Sequence, residues 1–331
     1  MDADERRRRT EAVKELARRL GFCEVGVARA EPLEPEFSRY LAWLQQGYHA
    51  TMAYMERDPE RRADVRRLLP TARSVLVVAY NYYTPAQHTA FQHAPDRYGK
   101  LSRYAWGEDY HEVLRPKLQT LATEIAQLFP KAESRYYVDT GPVLEKAWAV
   151  RAGIGWQGKH SNIISRRYGS WLFLGVIITS VELEPDEPIR DYCGTCTACI
   201  QACPTGAIVQ PYVVDARRCL SYWTIEAKPE IPIPDDVAER MEGWIFGCDI
   251  CQEVCPWNRF QRPTDEPAFA PRFGETCLEL EEVLMMSEED FRQRFRKSPV
   301  KRPKRAGLQR NARAWKRVVS LSVESHADGT P

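Results

Sequence analysis

Hydrophobic positions recur at helical spacing in three stretches of the first half of the chain. Within residues 10–46, apolar side chains return every three or four positions, and a turn containing Pro32 and Pro35 divides them into two groups. This spacing places the apolar side chains on one side of a helix, so it predicts two amphipathic helices. Residues 109–128 show the same spacing and predict a third helix.

Three further apolar runs are continuous rather than periodic. They occupy residues 74–80, 135–138 and 171–179 and are rich in β-branched and aromatic side chains. Such runs are typical of strands that are buried on both faces of a sheet. Because helical stretches alternate with these runs, the first part of the chain predicts helices packed against a sheet.

A change of pattern divides the chain. The acidic, proline-containing stretch at residues 182–188 is typical of a domain junction, and beyond residue 256 the helical spacing returns. We therefore predict three segments, at residues 1–183, 184–262 and 263–331. The 331 residues, 44% of them apolar, are enough for about two domains with sizeable cores and exclude a disordered chain.

The sequence lacks the patterns of membrane and secreted proteins. Its longest apolar stretch, residues 171–178, is far shorter than the roughly 20 residues of a membrane helix. No apolar core follows the charged N-terminus, as a signal peptide would require. We expect a cytoplasmic protein with no membrane partner, in which clustered cysteines bind metal or carry out redox chemistry rather than form disulfides.

Eight of the ten cysteines lie between residues 193 and 255. Residues 193–204 spell C-x2-C-x2-C-x3-C-P, the bacterial ferredoxin motif in which three thiolates hold one [4Fe–4S] cluster and the fourth reaches a second cluster. A second copy at residues 248–256 has Ile245 where its first cysteine would stand, and Cys219 is the nearby cysteine left to replace it. We predict two clusters, one held by Cys193, Cys196, Cys199 and Cys255 and the other by Cys203, Cys219, Cys248 and Cys251. A pair of structural zinc sites is the weaker alternative, because such sites favour paired C-x2-C knuckles.

Two other motifs partly match known phosphate-binding and corrinoid-binding patterns, but the sequence around them does not fit those patterns. Residues 153–159 spell G-x-G-x-x-G and most of a P-loop, but phosphate-binding loops follow a strand and open a helix. Here a helical pattern precedes the glycines and a strand pattern follows them, so we predict a glycine-rich turn beside another cofactor. Residues 109–111 begin like the D-x-H-x-x-G motif of some corrinoid proteins, but Leu114 replaces the glycine. We predict that His111 lies on a helix face.

Asp139 directly follows one of the predicted strands, and two roles remain open for it. Sites in α/β proteins gather at the carboxyl ends of strands, and burial there would raise the pKa of a carboxylic acid and suit it to donate a proton. Alternatively, Asp139 is the N-cap of a helix that begins near residue 142.

The net charge of +1 conceals a strong asymmetry. Residues 291–317 hold twelve of the 47 Lys and Arg and none of the 46 Asp and Glu, which leaves 35 basic against 46 acidic residues, a charge of −11, in the rest of the chain. An exposed helix face normally interleaves acids for pairing along the helix, so this basic segment favours phosphate binding. The candidate contacts to an RNA backbone are Lys301, Arg302, Lys304, Arg305 and Arg310.

Taken together, these motifs resemble the epoxyqueuosine reductase family over residues 10–317. The resemblance is carried by LSRYAWGEDYH at residues 101–111, DTGPVLEK at 139–146, GIGWQGK at 153–159, the cysteine run at 193–204, RCLSYWTIE at 218–226 and GCDICQEVCPWN at 247–258. It implies an α+β protein with a nitroreductase-like α/β domain that binds cobalamin, a ferredoxin-like domain with two [4Fe–4S] clusters and a short, basic, helical C-terminal region.

The activity implied by the resemblance is the last step of queuosine formation on tRNA, in which two electrons and protons remove the epoxide oxygen of epoxyqueuosine as water. The implied cofactors are base-off cob(II)alamin, with no protein histidine on cobalt, and the two clusters. The implied partners are tRNA and an external electron donor, and we expect a monomer. The resemblance makes Asp139 the proton donor. It places cobalamin contacts at Arg62, Ser102, Asp139, Ile163, Leu174 and Ser221.

Position 102 departs from the family pattern, since Ser stands where relatives can carry Cys. Two other functions also remain open. A corrinoid reductase of a small molecule would not need the basic segment, and a ferredoxin-type electron carrier would hold iron without cobalt.

Overall fold

The computed structural model describes residues 2–327, with side chains through residue 321. Met1 and the last four residues of the predicted third segment lie outside the described part. The helices are α1 (Ala3–Arg19), α2 (Glu34–Gln45), α3 (Pro59–Ala63), α4 (Thr89–His93), α5 (Tyr110–Leu128), α6 (Glu145–Arg151), α7 (Ala198–Ala202), α8 (Asp235–Ala238), α9 (Ile250–Glu253), α10 (Leu280–Met285), α11 (Glu288–Arg294) and α12 (Lys304–Ala327). The strands are β1 (Glu24–Arg29), β2 (Ser74–Asn81), β3 (Tyr98–Leu101), β4 (Ser134–Tyr137), β5 (Trp156–Gln157), β6 (Ile163–Ile164), β7 (Leu172–Thr179), β8 (Ile208–Gln210), β9 (Val213–Val214), β10 (Trp244–Phe246) and β11 (Cys277–Glu279).

The main sheet has the strand order β1-β2-β7-β4, and every neighbouring pair is antiparallel. The predicted burial is confirmed for β2, since all eight of its residues are buried. Side chains of α1 and α5, such as Leu16 and Leu118, cover one face of the sheet. Trp148 of α6 belongs to the core on the other face. The helices and strands predicted for the first part are confirmed as elements, but β4 is a partly exposed edge strand rather than one buried on both faces. The other edge strand, β1, was missed by the sequence analysis.

A second core crosses the predicted segment boundaries. Strand β3 pairs in parallel with β10 and antiparallel with β11, although these strands come from the three different predicted segments. Trp106, Phe246 and Leu308 all belong to this core. The three-segment division therefore describes the sequence pattern, while the hydrophobic core joins all three. The mixture of helix and strand confirms the expected α+β class.

The glycine motif has the order that the sequence analysis predicted. Helix α6 ends at Arg151, Gly153 adopts a left-handed φ of +68°, and β5 follows. Helix therefore precedes glycine and strand follows, which is opposite to a phosphate-binding loop. Within residues 2–327, no helix is both long enough and apolar enough to span a membrane.

Candidate active site and cysteine cavities

Asp139 lies just beyond the carboxyl end of β4, on a part of the surface that we call the cleft. Its φ of +56° lies in the left-handed region, which is unusual for a residue with a side chain, and 64% of the side chain is exposed. The Tyr110 hydroxyl donates a hydrogen bond to Oδ2 over 2.8 Å, and the Asp139 backbone N–H donates to Oε1 of Glu145 over 2.7 Å. Leu144, not Asp139, occupies the N-cap of α6, so the N-cap alternative is wrong.

His111 bridges two carboxylates at the start of α5. Its Nδ1 lies 2.7 Å from Oδ1 of Asp109, and its Nε2 lies 3.7 Å from Oδ2 of Asp139. Both ring nitrogens therefore face acidic groups. The sequence analysis placed His111 on a helix face and weighed it only as a cobalt ligand, so it missed this position. Asp109, two residues before His111, was the available clue.

The ionisation of these groups differs from the expectation. Loss of solvation acts to raise the pKa of Asp139, but His111 and the Tyr110 hydroxyl outweigh it and lower that pKa. The expected raised pKa is therefore wrong for this chain, because its partners stabilise the carboxylate. Burial lowers the pKa of His111, yet Asp109 and Asp139 together raise it to about 9. Loss of solvation and the charge of Asp139 raise the pKa of Glu145 to about 8.

At neutral pH the cleft thus holds an ionised Asp139, a protonated His111 and a protonated Glu145. Two carboxyl groups in one site are driven to opposite protonation states by their surroundings. Such separation is typical of acid–base sites.

The opposite wall of the cleft comes from elements that are distant in sequence. The Tyr54 hydroxyl lies 3.4 Å from Oε2 of Glu226, and that carboxylate also pairs with Arg302 over 2.9 Å. The negative charge of Asp139 acts on both Tyr54 and Arg302, so the basic segment reaches the same cleft. Of Tyr54, Glu226 and Arg302, only Arg302 was a predicted site residue, because nothing local in the sequence connects residues 54, 139 and 226.

The residues predicted to contact cobalamin differ in burial and in whether their polar atoms are already hydrogen-bonded. Arg62 is 9% exposed, donates to the carbonyls of Tyr54 and Gly141 over 3.2 and 3.5 Å, and has a buried Nε with no protein partner. Ile163 and Leu174 pack in one apolar cluster with residues of the β4–α6 connection. Ser102 is 3% exposed, and its hydroxyl donates to Asp249.

Ser221 is half-buried and lies near the thiol of Cys219, in the cysteine region. Among the predicted contacts, Arg62 has a hydrogen-bond donor without a protein partner, whereas the Ser102 hydroxyl already donates to Asp249. A polar ligand with acceptor groups fits beside Arg62, whereas the Ser102 side chain has no free donor to offer it.

The eight clustered cysteines form the two predicted groups. Four thiols line a cavity of about 230 Å³: Cys193, Cys196, Cys199 and Cys255. Burial, followed by the nearby charges of Cys255, Cys193 and Cys196, raises the pKa of Cys199 to about 11. The assignment of Cys255, distant in sequence, to this group is consistent with that contact.

The second group is recognisable in the same way. Burial, and then Cys219 and Cys203, raise the pKa of Cys251, while burial and Cys251 raise that of Cys248. Cys251 also lies within electrostatic reach of Cys199, so the two groups are neighbours. Within residues 2–321, no three His, Cys, Asp or Glu side chains form a group that could hold a single metal ion. Four of the thiols surround one cavity, which fits a cluster with several iron corners better than the zinc alternative.

The basic segment is less free than its sequence indicates. Acidic residues from other parts of the chain pair with Lys301 (Asp109, 3.0 Å), Arg302 (Glu226, 2.9 Å) and Arg305 (Glu288, 2.7 Å). Lys301 and Arg302 remain 50% and 55% exposed, and Lys304 is also exposed. The carboxylates that pair with Lys301 and Arg302 are only 8% and 21% exposed, so a phosphate would have to displace a partly buried carboxylate to bind either cation.

Arg310 differs from the other candidates. Its guanidinium donates to the backbone carbonyls of Trp223, Ala227, Lys228 and Ile231 and to Asn311. Every one of its nitrogens is therefore used to hold the loop after Trp223. The structure gives Arg310 this internal role, and no donor is left for an RNA phosphate.

Comparison with known proteins gives a consistent result. A family model described as "Epoxyqueuosine reductase QueG, DUF1730" matches residues 62–140, and one described as "4Fe-4S double cluster binding domain" matches residues 192–258. An epoxyqueuosine reductase of Synechocystis sp. is 52% identical over 277 residues, which cover 83% of this chain and 93% of that protein.

Solved structures agree. An epoxyqueuosine reductase crystallised with an epoxyqueuosine-modified tRNA-Tyr stem loop is 32% identical, with a TM-score of 0.84 over 93% of this chain and 80% of that one. The enzyme of Bacillus subtilis, solved with a catalytic aspartate loop swung out of its active site, is 31% identical, with a TM-score of 0.84 over 97% of this chain and 86% of that one.

Proposed function

The chain belongs to the epoxyqueuosine reductase family and is an oxidoreductase, and from this premise we propose that it reduces epoxyqueuosine in tRNA to queuosine. Two electrons and two protons convert the epoxide to an alkene and water. The observation that carries the proposal is the placement of Asp139. Its carboxyl is exposed. Lys146 lies within electrostatic reach of both Asp139 and Cys251, and Arg302 lies within electrostatic reach of Asp139, so the clustered cysteines and the basic segment both approach this carboxyl.

Two kinds of cofactor would complete this site, and the residues fit both. Arg62 offers an unsatisfied donor to the amide groups of a cobalamin, and Ile163 and Leu174 offer apolar surface. His111 Nδ1 lies 2.7 Å from Asp109 and its Nε2 faces Asp139 at 3.7 Å, which supports binding with no histidine on cobalt. When bound, the corrinoid would supply a low-valent metal able to reduce a strained C–O bond.

The chain itself would manage the protons. Asp139 is ionised in the free chain, so it must receive a proton before it can donate one. His111, whose pKa is raised to about 9, holds that proton 3.7 Å away, and Tyr110 fixes the Asp139 carboxylate by a 2.8 Å hydrogen bond. We assign Asp139 as the donor to the departing epoxide oxygen and His111 as its proton source. The catalytic aspartate loop of the Bacillus subtilis relative supports this assignment.

The two cysteine groups would hold two [4Fe–4S] clusters that feed the cleft. The group containing Cys251 is the nearer, because Lys146 interacts with both Asp139 and Cys251. Cys251 is also within electrostatic reach of Cys199, so the other cluster would lie next along the electron path. This arrangement suits one-electron transfer from an external donor.

A tRNA substrate fits the charges at the cleft mouth. Lys301, Arg302, Lys304 and Arg305 are the proposed phosphate contacts, and Arg310 is omitted because its donors are used internally. The solved relative with a modified tRNA stem loop supports an RNA substrate for this chain.

The decisive experiment uses anaerobically reconstituted protein and an epoxyqueuosine-containing tRNA stem loop. Iron and cobalt are counted on the same sample, and the RNA is digested and analysed for queuosine after addition of a chemical reductant. We expect both metals and conversion of the base, with Asp139→Asn retaining both metals but converting little. Protein that binds iron but no corrinoid, or that leaves the modified base unchanged, would contradict the proposal.

A further inference from the structure

One wall of the first cysteine cavity comes from outside the cysteine segment. The loop at residues 158–162 connects β5 to β6, in the part of the chain that carries Asp139. Lys159 and His160 of this loop are 8% and 4% exposed, and both line the cavity with Cys193, Cys196, Cys199 and Cys255. The proposed function leaves these two buried polar side chains without a role.

Lys159 binds the cysteine loop directly. Its Nζ donates to the carbonyls of Gly194 and Cys196 over 2.7 and 2.8 Å. The ammonium therefore fixes the segment that carries the first two cysteines. It also places a positive charge at the edge of the cavity, where thiolates and cluster sulfides would be.

The hydrogen bonds of His160 determine which ring nitrogen carries a proton. The backbone N–H of Asn162 donates to Nδ1 over 3.2 Å. Because a backbone N–H cannot accept, Nδ1 must present its lone pair, and the hydrogen of the neutral ring must be on Nε2. Nε2 is buried and has no hydrogen-bond partner among the described residues, cysteine sulfurs included. A buried donor without an acceptor is costly, so the site favours an acceptor that enters the cavity.

We propose that His160 Nε2–H donates a hydrogen bond to a sulfur of the [4Fe–4S] cluster in this cavity, and that with Lys159 it raises the reduction potential of that cluster. The inference rests on the proposed function, since it requires a cluster on these four cysteines. Reduction adds one negative charge to the cluster, and a hydrogen-bond donor and a nearby cation both favour the more negative state. The substrate-binding part of the chain would thereby tune one of the two clusters.

The test compares His160→Leu, which removes the donor, with His160→Gln, which keeps an N–H at a similar reach. Midpoint potentials of both clusters are measured by redox titration followed by electron paramagnetic resonance, on anaerobically reconstituted full-length protein. We expect one of the two potentials to fall in His160→Leu by about 59 mV, a tenfold change in a one-electron equilibrium, and to recover in His160→Gln. His88→Leu is the matched control, because His88 also has a buried, unpartnered Nε2 but lines a different cavity.

A second measurement needs no substitution. Wild-type protein labelled with ¹⁵N-histidine should show coupling of a histidine nitrogen to the reduced cluster in pulsed resonance spectra. Two intact clusters with unshifted potentials in His160→Leu, or no such coupling in the wild type, would overturn this inference alone. Wild-type protein with no cluster on Cys193, Cys196, Cys199 and Cys255 would overturn the cluster assignment and this inference together.

Discussion

The cleft around Asp139 and the cavity around Cys199 perform neighbouring steps but are built in opposite ways. The cleft is open, and its polar groups come from segments far apart in sequence, such as Tyr54, His111 and Arg302. The cavity is lined by thiols from two short motifs, of which Cys199 and Cys255 are buried and Cys196 is exposed, and by Lys159 and His160. A macromolecular substrate requires an open surface at the reacting carboxyl, whereas a cluster requires a dry and rigid shell. Each region is therefore sensitive to a different kind of change.

The largest effect should come from the closed region. Cys199→Ala removes one thiolate, so we expect the iron content to fall by about half and epoxyqueuosine reduction to fall below detection, because the electron path is broken. Iron analysis and a base-conversion assay check this. Cys23→Ala, which changes a cysteine outside the two groups, should keep both clusters. Full activity in Cys199→Ala would remove the functional link between the cavity and the cleft.

In the open region, Asp139→Asn should lower the rate by about 10²- to 10⁴-fold, the usual contribution of a positioned proton donor. The amide keeps the shape and can still accept from Tyr110, but it cannot deliver a proton. Single-turnover conversion of the modified stem loop measures the effect, while iron and corrinoid content serve as controls. Turnover within a factor of two of the wild type would show that another group supplies the proton.

A smaller effect should follow from charges at the mouth of the cleft. Lys301→Gln combined with Lys304→Gln should reduce the salt dependence of RNA binding by about 1.4 to 1.8 in log–log slope, as two lost phosphate contacts require. Binding of the stem loop across a salt series measures it. Lys316→Gln with Arg317→Gln removes the same charge further along α12, where these residues pair with Glu281 and Asp235, and should leave the slope unchanged. Equal changes in slope for the two double variants would indicate a general electrostatic attraction rather than a docking site.

The smallest predicted effect concerns pH and stability. The pKa of His111 is raised from 6.5 to about 9 in the folded chain, so the folded state binds the proton more tightly than the unfolded state. This stabilisation is complete below pH 6.5 and is lost as the pH rises through 9. Between these values, His111→Gln should make the fall in unfolding free energy shallower by up to about 1.4 kcal/mol per pH unit.

Urea unfolding of the apoprotein at several pH values measures this slope. His93→Gln, a change at an exposed histidine on α4, is the control. Identical slopes for wild type and His111→Gln would show that the two carboxylates do not hold the imidazolium.

The same contrast explains what the sequence could predict. The cluster ligands are close in sequence and have fixed spacing, so both cysteine groups could be assigned before the fold was known. Long helices such as α5 and the buried strand β2 also carry strong local patterns. The edge strand β1 was missed because its alternation is short, and the pairing of β3 was missed because both partners lie far along the chain.

The cleft was predicted less completely because its properties depend on contacts between distant residues. A local count treated the basic segment as unpaired, yet Arg302 and Lys301 find Glu226 and Asp109 across the fold. Asp139 was assigned from the family motif, but its lowered pKa follows from His111, which the sequence correctly placed on a helix without showing that it faces Asp139. Residue types indicate what chemistry is available, whereas ionisation is set by neighbours that only the fold supplies.

The position of β3 has a consequence for the order of events during synthesis. The ribosome releases this strand long before either of its partners, β10 and β11, exists. The main sheet can form while both edges of β3 are unpaired, and exposed strand edges promote aggregation. Premature termination before β10 should therefore leave β3 without either partner, and we expect such fragments to aggregate rather than form a separate catalytic domain.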